Sequence, residues 1–118
     1  MAIRVKRIYD KAEASDGFRV LVDRLWPRGM AKAKAHIDLW LRDIAPSDEL
    51  RHRFHDAPGK WNDFEKAYAK ELKAPEAQAA AKILREKLHE GTVTLLYAAR
   101  DEEHNNAVAL KAWLENHA

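Results

Sequence analysis

Two short polar runs carry the side chains best suited to chemistry: Asp23-Arg24-Leu25-Trp26-Pro27-Arg28 and Arg100-Asp101-Glu102-Glu103-His104. Arg24, Arg28 and Arg100 offer permanent positive charge on a planar fork of donors, the geometry that matches phosphate and carboxylate. Histidine is the side-chain type suited to proton transfer at neutral pH, and a carboxylate can orient the ring of His104. Asp23 or Asp101 with His104 therefore forms a candidate proton-transfer pair. Pro27 and Gly29 restrict the loop that presents Arg28. The catalytic candidates are Asp23, Asp101 and His104. The ligand-binding candidates are Arg24, Pro27, Arg28, Arg100 and Asn105. No nucleophile stands out, and no glycine-rich phosphate loop is present. A structural reading competes with the chemical one. Asp23 and Arg24 could pair with Arg100 and Asp101 in a buried ionic network, with Asp101 serving only as a helix cap.

A second cluster, Arg51-His52-Arg53-Phe54-His55-Asp56, places two histidines three positions apart. On a helix they share a face, and with Asp56 or His36 they could form a mononuclear metal site. Two exposed histidines on a charged helix are the commoner outcome, so the site assignment includes no metal. The same basic face is the main sequence argument for a non-catalytic module that binds nucleic acid or a regulatory protein.

The elements that must position these residues are legible from periodicity. Ile3 to Ile8 alternates apolar and polar residues, as a strand with one wet face does. Ser15-Asp16-Gly17 is a turn signal. Val20-Leu21-Val22 is a continuous apolar run, expected of a strand buried on both faces. His36 to Leu41 alternates again and is expected to be a third strand. Ser47 can cap a helix whose first turn holds Asp48 and Glu49. Trp61, Phe64, Tyr68 and Leu72 recur at helical spacing. Pro75 suits a first helical turn, Ala77, Ala80, Ala81, Leu84 and Leu88 form an apolar stripe, and Gly91 ends it. Thr92 to Ala98 is the last strand. Asp101 is expected to cap a final helix that turns Ala107, Leu110, Trp113 and Leu114 inward.

This order predicts a single α/β domain over residues 1–118. It is three-layer-like, with a small, mostly parallel sheet of about four strands flanked by about four helices. The two most apolar strands belong at its centre. In open α/β sheets ligands bind beyond the carboxyl ends of the strands. Both polar runs follow such ends, so they converge if the second and last strands are parallel neighbours.

Bulk properties bound the rest. The chain has 118 residues, 47% hydrophobic and 34% charged, the composition of one compact folded domain. It has no cysteine, which excludes disulfides and thiolate chemistry. The N-terminus lacks the apolar stretch of a signal peptide, and no run approaches the roughly 20 apolar residues of a membrane span. A cytoplasmic, membrane-free protein is expected. The net charge of +2 permits an anionic small molecule. It gives only weak support to nucleic acid, because acids and bases are interspersed. Cofactor and oligomeric state are left open by the sequence.

The run from Gly17 to Gly29, the segments Ile37-Asp38-Leu39-Trp40-Leu41 and Ile44-Ala45-Pro46-Ser47, and the stretch from Thr92 to Asn105 resemble the YeaO-like group of the domain-of-unknown-function 488 family. The similarity resumes at Leu50-Arg51 and Lys60-Trp61 and covers nearly the whole chain. Longer relatives are similar at a strand ending in Asp-x-Arg and at a last strand ending in Ala-x-Lys-Asp-x-x-His. They carry a helix between the first two strands. The resemblance thus implies that residues 9–17 are a shortened crossover and that the first two strands are parallel. It also implies a shared site at Asp23, Arg24, Pro27, Arg100, Asp101 and His104. Where longer relatives often have cysteine and Cys-His, this chain has Tyr97 and Asn105-Asn106, so thiol chemistry does not carry over.

Overall fold

The computed structural model describes residues 2–54 and 58–117. Four parallel strands form one sheet in the order β1-β4-β2-β3, with β1 at Ile3–Arg7, β2 at Phe18–Leu21, β3 at Leu39–Trp40 and β4 at Val93–Tyr97. The two most apolar strands are the central pair. Every residue of β4 is buried, and Val20, Leu21 and Val22 are fully so. Burial on both faces is what a continuous apolar run in a parallel sheet requires. β1 and β2 are parallel, and β4 lies between them, so residues 8–17 cross over β4.

Five α-helices are present among the described residues: α1 at Lys32–Ala35, α2 at Asp48–Arg53, α3 at Trp61–Glu71, α4 at Pro75–Glu90 and α5 at Asn106–Asn116. The larger core cluster covers one sheet face. There Val20, Val22, Val93, Leu95 and Tyr97 meet Leu50 of α2, Tyr68 of α3, Ala81 and Leu84 of α4, and Leu110 and Leu114 of α5. The apolar stripe read for α4 is buried in full. The opposite face has a thinner cover: Ile8, Leu21, Ala35 and Leu96, with Trp26, Met30, Ile37 and Trp40 against them. Alternation of side chains along each strand assigns Leu21 and Leu96 to this second face.

The polar part of the second face is closed by an ionic cluster. Asp16, with no exposed surface, accepts from Lys6 Nζ at 3.2 Å, from the Glu13 backbone N–H at 3.0 Å and from the Arg19 guanidinium. Its carbonyl accepts from Thr94 Oγ1 at 2.6 Å. Arg19 also donates to the carbonyls of His36 and Ala35. Burial alone would raise the Asp16 pKa. The Glu13 N–H, Lys6 and Arg19 outweigh it and hold the carboxyl below its ordinary value. Gly17 follows at φ 66, and a Cβ there would stand 2.3 Å from the Thr92 carbonyl oxygen.

Two expectations change. The third strand shrinks from His36–Leu41 to Leu39–Trp40. His36 is the left-handed C-cap of α1 at φ 48, which ends a helix rather than starting a strand, and Arg42–Ile44 closes at once into a 3-10 turn. The final helix starts at Asn106, not near Asp101, and Asn105 caps it: the Asn105 side-chain oxygen accepts from Val108 N at 2.9 Å. Asp101 caps only its own turn, accepting from the backbone N–H groups of Glu103 and His104.

Candidate functional site at the carboxyl edge of the sheet

β2 and β4 are parallel neighbours, so the segments that follow them emerge at the same edge. Asp23 joins them. One carboxylate oxygen accepts from Ala98 N at 2.9 Å and the other from the Asn106 side-chain amide at 3.0 Å. The same amide donates to the Val22 carbonyl at 2.9 Å, and Trp40 Nε1 donates to the Asp23 carbonyl at 2.7 Å. Burial pushes the Asp23 carboxyl above its ordinary value, opposed by the Asn106 amide, the Ala98 N–H and the charge of Arg51. Both oxygens are committed to holding two strand ends and the start of α5 together.

Arg24 points elsewhere. Its Nε donates to the Pro46 carbonyl at 3.1 Å and its Nη2 to the Ala45 carbonyl at 3.0 Å. It ties the end of β2 to the segment after β3. Pro27 is buried, and its carbonyl accepts from Met30 N, closing a turn in which Gly29 supplies φ 75. That φ at the third turn position is the type II geometry that glycine tolerates best. Trp26 Nε1 donates to the Met30 carbonyl and packs edge-on to Trp40. The loop thus has a fixed shape, with Arg28 and Leu25 exposed on it.

After β4, Arg100, Asp101 and His104 are all exposed. His104 Nδ1 lies 3.2 Å from Asp101 Oδ2, a hydrogen bond in the tautomer that carries its proton on Nδ1. Backbone donation from Glu103 and His104 holds the Asp101 carboxyl below its ordinary value. The His104 ring meets Trp61 edge-on at 5.2 Å, and Trp61 stacks on Phe64, so the loop leans on the start of α3. Asn105 is buried; besides capping α5 it donates to the Asp101 carbonyl.

The sequence motifs left out two residues of this edge. Arg7, the last residue of β1, donates to the carbonyls of Ala99 at 2.9 Å and Ala98 at 3.3 Å. Its guanidinium sits 5.0 Å from the centre of the Tyr9 ring, and the Tyr9 hydroxyl donates to the Arg28 carbonyl at 2.7 Å. Arg7 and Tyr9 therefore bridge the loop of Arg100 to the loop of Arg28. The strand-end rule that selects Asp23 and Arg100 selects them too once β1 is known to run parallel to β4.

The ion pairs foreseen between Asp23 or Arg24 and Arg100 or Asp101 do not form among the described residues. His52 is exposed on α2 and His36 is exposed after α1, while His55 and Asp56 lie outside the described residues. Among the described residues no three His, Asp or Glu side chains gather as metal ligands, and no helix is long and apolar enough to cross a membrane.

Comparison with known proteins places the chain in a family. A family model described as "Inactive DUF488-N3 subclade" matches residues 2–118. The chain is 42% identical over 116 residues to Uncharacterized protein YeaO of Escherichia coli (strain K12), covering 98% of this chain and 99% of that one. It is 37% identical over 108 residues to Uncharacterized protein Rv3073c of Mycobacterium tuberculosis (strain ATCC 25618 / H37Rv), covering 92% and 89%. No solved structure matches. The chain, over essentially its whole length, belongs to the YeaO-like DUF488 family.

Proposed function

We propose that this domain binds a small anionic molecule, bearing phosphate or carboxylate, at the carboxyl edge of its sheet, and that it does so without transforming it. The observation that carries the reading is the contact chain from Arg100 through Ala99, Arg7 and Tyr9 to Arg28. It gathers three guanidinium-bearing segments on one rim, and guanidinium forks suit those anions. The non-catalytic part rests on Asp23, whose two oxygens are spent on Ala98 and Asn106 and so are not poised to move a substrate proton. The subclade description "inactive" agrees with it. His104 and Asp101 supply a polar, exposed pair beside the anion rather than a sealed relay. Calorimetric titration of phosphorylated and carboxylated metabolites into wild type and Arg28→Ala/Arg100→Ala tests the reading. The expected result is binding that the double substitution weakens about tenfold or more. Equal binding by both proteins, or turnover of a ligand, contradicts it.

A second reading, a non-catalytic module that binds nucleic acid, looks to the groove between α2 and α3, about 460 Å³, where Arg53, Lys60, Lys66 and Lys70 outnumber Glu49, Asp63 and Glu71 by one. A gel-shift titration at two salt concentrations separates the two, because real phosphate contacts weaken steeply with salt.

A further inference from the structure

The loop and short helix between β2 and β3 carry the most one-sided charge of the chain. From Arg24 to Ile37 the sequence has four cations, Arg24, Arg28, Lys32 and Lys34, and no acid, the longest acid-free stretch it contains. Arg28, Lys32, Lys34 and His36 are exposed. The same segment holds Leu25, 59% exposed, the most exposed large apolar side chain among the described residues. Tyr9, the next at 41%, is tied to this loop by its bond to the Arg28 carbonyl at 2.7 Å, while Ile83 stands apart on α4.

The neighbours of Leu25 are spent on the sheet. Trp26, Met30 and Ile37 pack on the cluster of Ile8, Leu21, Ala35 and Leu96, and Pro27 is buried. The Trp26 bond to the Met30 carbonyl at 2.6 Å and the Pro27–Met30 turn fix the loop shape. Leu25 joins neither core cluster, and burial of Ala35 leaves Lys32 and Lys34 outward on α1. The result is a pre-shaped apolar tip in a field of positive charge. A second copy of the chain would set cation against cation. Single-stranded nucleic acid stacks on open aromatic faces. Here Arg42 covers Trp40 at 3.8 Å, Arg7 lies over Tyr9 at 5.0 Å, and Trp26 meets Trp40 edge-on. An anionic bilayer surface complements both parts, with phosphates for the cations and an acyl boundary for the leucine. We propose that this loop docks peripherally on an anionic phospholipid surface, Leu25 entering the boundary beneath the headgroups and Arg28, Lys32 and Lys34 facing lipid phosphates. The contact is one of surface only, since no helix among the described residues is long and apolar enough to cross a membrane.

The test is co-sedimentation with vesicles, one set of phosphatidylcholine alone and one of phosphatidylcholine and phosphatidylglycerol in equal parts. Wild type is expected to sediment with the anionic set at low salt, to release at high salt and to leave the neutral set unbound. Leu25→Ser and Lys32→Gln/Lys34→Gln are each expected to weaken vesicle binding about tenfold or more. Their melting temperatures should stay near that of wild type, because all three positions are exposed. Lys66→Gln/Lys70→Gln, on α3, should bind vesicles as wild type does. No sedimentation with anionic vesicles overturns the proposal. So does full binding by Leu25→Ser, which would leave charge alone, or an equal loss in the α3 variant. A gel shift of oligothymidylate that depends on Lys32 and Lys34, without vesicle binding, overturns it in favour of nucleic acid. The rim reading fails separately: phosphate binding there is expected to survive in Leu25→Ser and in Lys32→Gln/Lys34→Gln.

Discussion

The Asn106 side-chain amide donates to the Asp23 carboxylate at 3.0 Å across 83 positions of sequence. This bond fixes where α5 begins and closes the gap between the two central strands at their carboxyl ends. It occupies one Asp23 oxygen, while the other accepts from the Ala98 N–H at 2.9 Å.

Asp23→Ala is expected to cost about 1–3 kcal/mol at neutral pH, because the Ala98 N–H and the Asn106 amide lose their partner in a largely enclosed place. The folded-state pKa of Asp23 is raised. The wild-type carboxyl therefore favours the fold most below its ordinary value of about 3.9 and less as pH rises through the raised value. The stability gap between wild type and variant should widen on acidification. Urea unfolding at several pH values measures it.

Asp16 has the opposite sign. Its folded pKa is lowered, so its contribution is complete above about 3.9 and is lost as pH falls through the lower, folded value. Lys6 mirrors it. Burial would lower its pKa, but Glu13 and Asp16 raise it overall. Its share is present below about 10.4 and lost as pH rises through the raised value. Asp16→Asn should be less stable than wild type at neutral pH, with the difference shrinking below about pH 3.9. Thermal melts of both proteins across that window check the sign.

Gly17→Ala should destabilise by more than about 1 kcal/mol, since alanine is poorly suited to positive φ. The new methyl would also meet the Thr92 carbonyl at 2.3 Å. Gly59→Ala meets nothing within 4 Å and serves as the comparison. Chemical denaturation midpoints distinguish them.

Arg24→Ala should lower stability rather than act as a clean binding mutant, because its side chain holds the Ala45 and Pro46 carbonyls. A loss of about 1–3 kcal/mol is expected for these charged hydrogen bonds. Lysine at this position, a single point of charge, should restore only part of it.

Much of this fold is readable because its signals are local. The apolar runs at Val20 to Val22 and Val93 to Leu96 announce central strands. Ser47, Pro75 and Gly91 mark helix ends by their own backbone chemistry. Where the reading slipped, tertiary partners decided. Asp101 and Asn105 are both competent caps. The helix starts after the second because Asn106 is held by Asp23, a partner no local window contains. The Asp16–Arg19 pair is only three positions apart, but what encloses it is not local: Thr94 donates to the Asp16 carbonyl, and Arg19 donates to the carbonyls of Ala35 and His36. At the rim, the motif residues of two strand ends were evident, while Arg7 and Tyr9 became visible only with the order β1-β4-β2.

The most direct measurement for the rim is an amide and arginine-Nε NMR titration of wild type with inorganic phosphate. Shifts are expected to be confined to Arg7, Tyr9, Arg28, Gly29 and the residues from Ala99 to Asp101, and to be abolished together in Arg28→Ala/Arg100→Ala. Shifts that appear instead along Arg51 to Arg53, or that survive unchanged in the double variant, would contradict it.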